Sequence, residues 1–291
     1  MTRAVGVDVG GTAIKAVLVG PTGDLVCERS VPTPSPDPTG RLTADAIAAC
    51  VADLAGGEHV AVGIPSPGLV DEARGVVIDS VNLHWREVPI RALVEERLGI
   101  PVGFGHDVRA GGLAEIRALP DRRPDGVTVF VPVGTGLAAA IFLGDKVLAG
   151  QGWAGEIGQI VFPSGPHAGK RLEEVASASV LARRVGTPGA ADVARLVAAG
   201  DPKAVEIWDD TAAALAFALA ALVATLAPDV VILGGGLAES GDLLFTPTRT
   251  WLERLLPGVP LPPFRPATHG HLAGALGAAM LGRVRLADSD G

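Results

Sequence analysis

One unit occurs twice in this chain and constrains its fold most: an apolar run, a glycine turn, and a second apolar run. Residues 4–9 lead into Gly10-Gly11-Thr12, and residues 14–19 resume the apolar pattern before Gly20-Pro21-Thr22-Gly23. About 124 positions later, residues 127–133 lead into Gly134-Thr135-Gly136, and residues 137–143 and 146–148 follow around a turn at Gly144-Asp145. Each copy reads as two strands joined by a tight turn. In the first copy a third strand begins at 24–28, a loop with four prolines spans 32–39, and helical spacing covers 43–54. Residues 60–64 read as a buried strand closed by Pro65-Ser66-Pro67-Gly68. Residues 90–98 read as a helix, and 102–104 as a strand running into Gly105-His106-Asp107, with a further helix from about Val108. A last strand at 230–233 ends in Gly234-Gly235-Gly236. Strands alternating with helices predict an α/β protein, and the repeat predicts two related domains facing across a cleft. Their expected limits are 1–108, with a C-terminal helix at about 273–291 packing back on it, and 109–272.

The 291 residues suffice for a large buried core, and 48% hydrophobic against 19% charged residues excludes a disordered chain. A net charge of −8 offers no long-range attraction to nucleic acid or an anionic membrane, so neither is an expected partner. Two cysteines, Cys27 and Cys50, are too few for a disulfide scaffold or a cysteine-rich metal site. The excess of Arg over Lys, which occurs only at 15, 146, 170 and 203, reads as GC-rich coding. The apolar run at 212–227 is shorter than the roughly 20 residues of a membrane helix and lacks aromatic or basic flanks, so a buried core helix is expected. With no apolar leader or cleavage site near residue 1, a cytoplasmic address is expected.

The glycine turns carry the chemistry. Asp8 stands at a strand end, two positions before Gly10 and Gly11. Such a turn lets main-chain N–H groups approach phosphate oxygens, with a hydroxyl from Thr12 and charge from Lys15. Asp8 would hold Mg²⁺ through water, since Mg²⁺ keeps much of its hydration shell. Gly134, Thr135 and Gly136 would grip further phosphates, and Gly234, Gly235 and Gly236 would leave room for a flat adenosine. A single glycine turn is more often a hairpin needing positive φ. Three at strand ends, one with its acid, point to ATP. No Walker sequence Gly-x-x-x-x-Gly-Lys-Ser/Thr occurs.

The stretch Val5-Gly6-Val7-Asp8-Val9-Gly10-Gly11-Thr12 resembles the first phosphate motif of the superfamily of sugar kinases, hexokinase, actin and heat-shock chaperone ATPases. Residues 63–71, Asn82-Leu83-x-Trp85, His106-Asp107, Gly134-Thr135-Gly136 and Ala154-Gly155-Glu156-Ile157-Gly158 follow in the order seen in the ROK family of bacterial sugar kinases and repressors. The resemblance covers nearly the whole chain. It implies two related ribonuclease-H-like (actin-like ATPase) domains flanking a cleft, ATP and Mg²⁺, a small-molecule sugar and nucleotide as the ligands, and a homodimer. ROK repressors carry an N-terminal helix-turn-helix domain, whereas here the acid of the phosphate motif is already at residue 8, so the kinase branch is expected.

By the same resemblance Asp107 is the catalytic base for a hexose 6-hydroxyl, a role compatible with capping the helix that follows. Gly68, Asn82, His106, Asp107, Glu156, Gln159 and Glu173 are the implied sugar contacts, with Glu174 leaving the Glu173 assignment open. Two departures stand out. His106 replaces the usual Asn, and Gln159 replaces the His that follows Glu-Ile-Gly. Residues 163–171 also lack the family's zinc-binding cysteine cluster, so no structural zinc is expected and His167 is expected to be solvated. The paired change at 106 and 159 favours a different hexose, an amino sugar such as kanosamine, over an unchanged glucose site. Polyphosphate as donor suits the missing zinc cluster, but the acidic chain argues against it. A sugar sensor without turnover would need neither Asp8 nor Asp107.

Overall fold

The computed structural model describes residues 2–289, and their contacts form two compact units. The first comprises the chain up to Arg117, the short segment Gly150–Trp153 and the chain from Leu272; the second comprises Ala118–Ala149 and Ala154–His271. In the first unit β1 (Ala4–Val9), β2 (Ala13–Val19) and β3 (Leu25–Pro32) are followed by α1 (Arg41–Ala55) and β4 (Ala61–Ser66). Then come β5 (Leu69–Asp71), β6 (Val76–Ser80), β7 (Trp85–Val88), α2 (Ile90–Leu98), β8 (Val102–His106) and α3 (Asp107–Ala118). The main sheet has the order β3-β2-β1-β4-β8, antiparallel through β1 and parallel from β1 to β8, while β5–β7 form a small antiparallel sheet.

The second unit contains β9 (Val127–Pro132), β10 (Ala140–Leu143), β11 (Lys146–Val147), α4 (Glu173–Ala176), α5 (Ala178–Val185) and α6 (Ala190–Ala198). It continues with α7 (Pro202–Leu226), β12 (Val230–Gly234), α8 (Gly235–Ala238), α9 (Asp242–Leu255) and β13 (Phe264–Pro266). Its sheet, β11-β10-β9-β12-β13, repeats the first one strand for strand in order and direction. The repeat expected from two glycine turns is thus a repeat of whole sheets. Helix α10 (Ala273–Ser289) then packs in the first unit; positions 290 and 291 of the expected terminal helix lie outside the described residues.

A row of glycines explains how α10 lies on the first sheet. Gly6 pairs with Gly63 across β1 and β4, and Gly63 pairs with Gly103 across β4 and β8. A methyl at Gly6 would fall 1.8 Å from the Ala275 carbonyl oxygen, and one at Gly63 would fall 1.9 Å from that of Ala278. At Gly103 it would meet the Leu281 carbonyl at 2.4 Å. The helix answers with small residues: Ala275, Ala278 and Ala279 are fully or almost fully buried against the strands. Main chain therefore lies against main chain over three strands, a contact that no side chain can enter.

Several elements differ from their sequence reading, each for a local reason. Strand β4 runs through Pro65 to Ser66 and stays parallel to β8; Pro65 stands past the last β1 pair, Gly6–Gly63, so its missing N–H interrupts no bond to β1. Strand β8 likewise continues to His106, which is buried. In the second unit the expected strand at 137–143 is shortened to β10, because the Ala139 N–H donates to the Gly155 carbonyl (2.8 Å) rather than to β9. The apolar run at 212–227 is the C-terminal part of a longer helix. Helix α7 has 25 residues, with Asp201 capping its start by accepting from the Ala204 N–H. It is long and apolar enough by composition to cross a membrane, yet Leu215, Leu219 and Ala216 are fully buried in the core of the second unit.

His167 is a further correction. It is not solvated: its side chain is 16% exposed, and Nε2 lies 2.8 and 3.0 Å from the two carboxylate oxygens of Asp210 on α7. Its ring packs on Phe162, which stacks on Phe217 of α7, and Arg184 of α5 pairs with the same carboxylate. The Gly/Pro loop is thus tied to two helices. Burial pushes Asp210 upward, but the hydrogen bonds from His167 and Arg184, with their charges, outweigh it and hold the carboxyl below its ordinary value. A lowered carboxylate pKa stabilises the fold above the unfolded value, about 4, and the gain is lost as pH falls through the folded value. Asp210→Asn should therefore melt below the native protein at neutral pH, and the gap should narrow in acid below about 4. A gap unchanged down to that range would contradict this account.

Candidate active site

The candidate residues gather into two groups, one in each unit. In the first, β1 and β2 meet at a turn closed by the Gly10 N–H donating to the Ala13 carbonyl (3.0 Å). Thr33, just past β3, pins this turn: its hydroxyl donates to the Gly10 carbonyl (2.6 Å) and its N–H to that of Thr12 (3.1 Å). Gly11 and Thr12 remain exposed at the tip. Asp8 and Lys15 are cross-strand partners in this hairpin. The Asp8 carboxylate rests against Gly274, where a methyl would come within 2.6 Å of Oδ2, beside the positive end of α10. Burial, then the charge of Asp107, pushes the Asp8 carboxyl up to about 7 against the pull of Lys15. A half-buried carboxylate next to a second one, opposed by one lysine, suits a hydrated divalent cation.

Asp107 opens α3 directly after β8, and its Oδ1 accepts from the Val108 N–H (2.7 Å). His106, the last residue of β8, lies with Nε2 at 3.4 Å from Asp107 Oδ1. Burial lowers the His106 pKa despite the raising influence of Asp107, with Arg109 lowering it further and Glu72 raising it, which favours neutral imidazole. Asn82 sits against the phosphate turn, with its carbonyl oxygen 3.0 Å from where a Gly11 methyl would be. Its loop is fixed by buried Trp85, whose Nε1 donates to the Asp37 carbonyl (2.7 Å). Gly68 has φ +101°, and a methyl there would come 2.3 Å from the Asp79 carbonyl oxygen, so the fold itself requires glycine.

In the second unit the turn Gly134-Thr135-Gly136 is held by α5: the Ala178 N–H donates to the Gly134 carbonyl (2.8 Å) and the Ser179 hydroxyl to that of Thr135 (3.1 Å). The Gly234-Gly235 segment packs on Val133, just before that turn, through the Val133 N–H to Gly234 carbonyl bond (2.8 Å). Its glycines divide by role. Gly235 has φ +75° and no room for a methyl beside the Val133 backbone, and Gly234 is crowded by Phe130. Gly134 and Gly236 have nothing within 4 Å of the methyl position and no positive φ, so the fold does not demand glycine there.

Glu173 lies beside this turn, its Oε2 3.5 Å from the methyl position of Gly136. Gly155 and Gly158 let the Ala154–Gly158 motif close on Ala139 and Leu137, where methyls would come 2.0 and 2.1 Å from carbonyl oxygens. Half-buried Glu156 is carried between them. Gln159 is fixed at both ends: Nε2 donates to Glu173 (3.1 Å), and Oε1 accepts from Arg171 (2.9 Å), which also pairs with Glu173. Adjacent Glu174 is tied to the same arginine, accepting from the Arg171 N–H (2.7 Å) and from its Nε (3.4 Å). The sequence reading missed Thr33, Ser179 and Arg171. It also missed Glu72 and Arg109, which hold the His106 main chain and carry no spacing signal.

The model of the ROK family matches residues 4–284. The chain belongs to the ROK family. A glucokinase from Streptomyces coelicolor is 33% identical, over 97% of this chain and 98% of its own. An N-acetylmannosamine kinase from Yersinia pseudotuberculosis is 31% identical, over 98% of this chain and all of its own. Among solved structures, a ROK-family glucokinase from Streptomyces griseus in complex with glucose and AMPPNP superposes with a TM-score of 0.84 at 32% identity, over 97% and 99% of the two chains. The fold of this ROK protein is that of the actin-like ATPases. Among its described residues, no group of three or more His, Cys, Asp or Glu side chains is placed to hold a metal ion.

Proposed function

We propose that this ROK protein transfers the γ-phosphoryl group of ATP to the 6-hydroxyl of a hexose. The observation that carries the reading is the placement of Asp107 at the β8–α3 junction, close enough to half-buried Asp8 to raise its pKa, with Asn82 against the Gly10-Gly11 turn. Relatives that are sugar kinases support it. In this reading Asp107 takes the hydroxyl proton as the sugar oxygen attacks the γ-phosphorus and ADP leaves. Gly11, Thr12 and Lys15 orient phosphates, Gly134 and Gly136 hold others, and Gly236 leaves space for the nucleoside. Asp8 would hold Mg²⁺ through water, and the ion would neutralise phosphate charge.

The acceptor we propose is an amino sugar of the kanosamine kind, with glucose as the alternative that the glucokinase relatives favour. A neutral His106 beside Asp107 places no positive charge against an ammonium group. At the other candidate contact, Arg171 neutralises Glu173 and immobilises Gln159, so the amino group would lie on the His106 side. Kinetics on glucose, glucosamine and kanosamine test this: kanosamine should have the highest kcat/KM, and a preference for glucose would discard the amino-sugar assignment.

A further inference from the structure

We infer that Glu72 and Arg109 are positioning residues for Asp107; this rests on the reading of Asp107 as the proton acceptor. Arg109 lies in the first turn of α3 with a side chain only 5% exposed. Its Nε donates to Glu72 Oε1 (2.9 Å), and Nη2 lies 2.8 Å from the same oxygen. That oxygen also accepts the His106 N–H at 3.1 Å. One carboxylate oxygen therefore holds the main chain immediately before Asp107 and the side chain two positions after it. The strand-to-helix turn that aims Asp107 is clamped from both sides.

Arg109 makes one more bond. Its Nη1 donates to the Gly152 carbonyl at 3.0 Å, within Gly150–Trp153, the short segment grouped with the first unit. Gly152 adopts φ +94°, and a methyl there would meet the Val70 carbonyl oxygen at 3.1 Å, so the segment lies close along β5, next to Glu72. Glu72 is 34% exposed, and an ion pair open to solvent on one side contributes little stability of its own. A guanidinium with two directed hydrogen bonds, from Nε and Nη1, and an ion pair to the same carboxylate fixes orientation, which an apolar pair does not supply.

Steady-state kinetics of Glu72→Gln, Arg109→Lys and Arg109→Met, each checked for folding by thermal melting, test the inference. Glu72→Gln should lower kcat about tenfold or more with both KM values nearly unchanged, because a small misalignment of a reacting group is costly. Arg109→Met should lower kcat comparably, again with both KM values nearly unchanged; Arg109→Lys should fall between it and the native enzyme. The double variant Glu72→Gln/Arg109→Met should lose no more kcat than Arg109→Met, as parts of one unit do. Folded variants with native kcat, or losses that multiply in the double variant, would overturn the inference. If Arg109→Met does not fold, Glu72→Gln and Arg109→Lys decide it. Asp107→Ala assayed alongside separates the two ideas. Turnover there overturns the base assignment and this inference with it, whereas an inactive Asp107→Ala beside a fully active Glu72→Gln overturns this inference alone.

Discussion

Asp107→Ala should lose about a hundredfold or more in kcat while binding nucleotide nearly as well as the native protein. The size follows from what one group is asked to do. A sugar hydroxyl is a weak nucleophile until its proton has an acceptor, and a positioned base is worth roughly 10²–10⁴ in rate. Asp107 also stands close to Asp8, so its loss removes a like charge that raises the Asp8 pKa. Nucleotide affinity should therefore hold or improve slightly, in contrast to the collapse in turnover. The fold should survive, because α3 keeps its buried Ala110, Ala114 and Ile116 whatever its first residue. Titration calorimetry with a non-hydrolysable ATP analogue, beside a coupled ADP assay, reads both quantities. A variant retaining a tenth of native turnover would remove Asp107 from the base role, and one that no longer binds nucleotide would recast it as part of the ATP site.

The second large effect concerns folding. Gly63→Val should destabilise the first unit by more than about 4 kcal/mol and leave little soluble protein, since its methyl position lies 1.9 Å from the Ala278 carbonyl and close to the Gly282 main chain. Nothing flexible is available to yield: the obstacles are helix backbone, and α10 is held by the same contact at Gly6 and Gly103. Displacing α10 would also withdraw Gly274 from Asp8, so any folded remnant should bind nucleotide poorly. Gly236→Ala provides the contrast. With open space at its methyl position and no positive φ, it should melt near the native temperature but raise the ATP KM. Chemical denaturation of both variants checks the pair. A stable Gly63→Val would mean that α10 does not seat on the glycine row, and a Gly236→Ala protein with native ATP affinity would free that glycine from the nucleotide site.

These two cases mark where sequence reading succeeds and where it stops. β1 and α2 occupy the residues that local pattern assigns them, because apolar runs and helical spacing are written in consecutive residues. The glycine turns were visible for the same reason. The glycine row was not: Gly6, Gly63 and Gly103 become neighbours only through strand register, and each alone looks like an ordinary strand glycine. Glu72 and Arg109 are 37 positions apart, and their pairing depends on where β5 ends relative to β8. The setting of His167 is not legible in the sequence, because its partner Asp210, itself paired with Arg184, lies on a helix that meets the loop only in the folded unit. Within the site, sequence offered Gln159 and Glu173 as separate contacts. Their joint attachment to Arg171, which fixes the amide and neutralises the acid, needed side-chain geometry.

The most direct test of the central claim is the product itself. Incubating the protein with ATP, Mg²⁺ and the hexose panel, then resolving products by phosphorus and carbon NMR, should yield equimolar ADP and a sugar phosphate esterified at carbon 6. Absence of any sugar phosphate across the panel, or phosphate at another hydroxyl, would contradict the assignment of this chain as an ATP-dependent hexose 6-kinase.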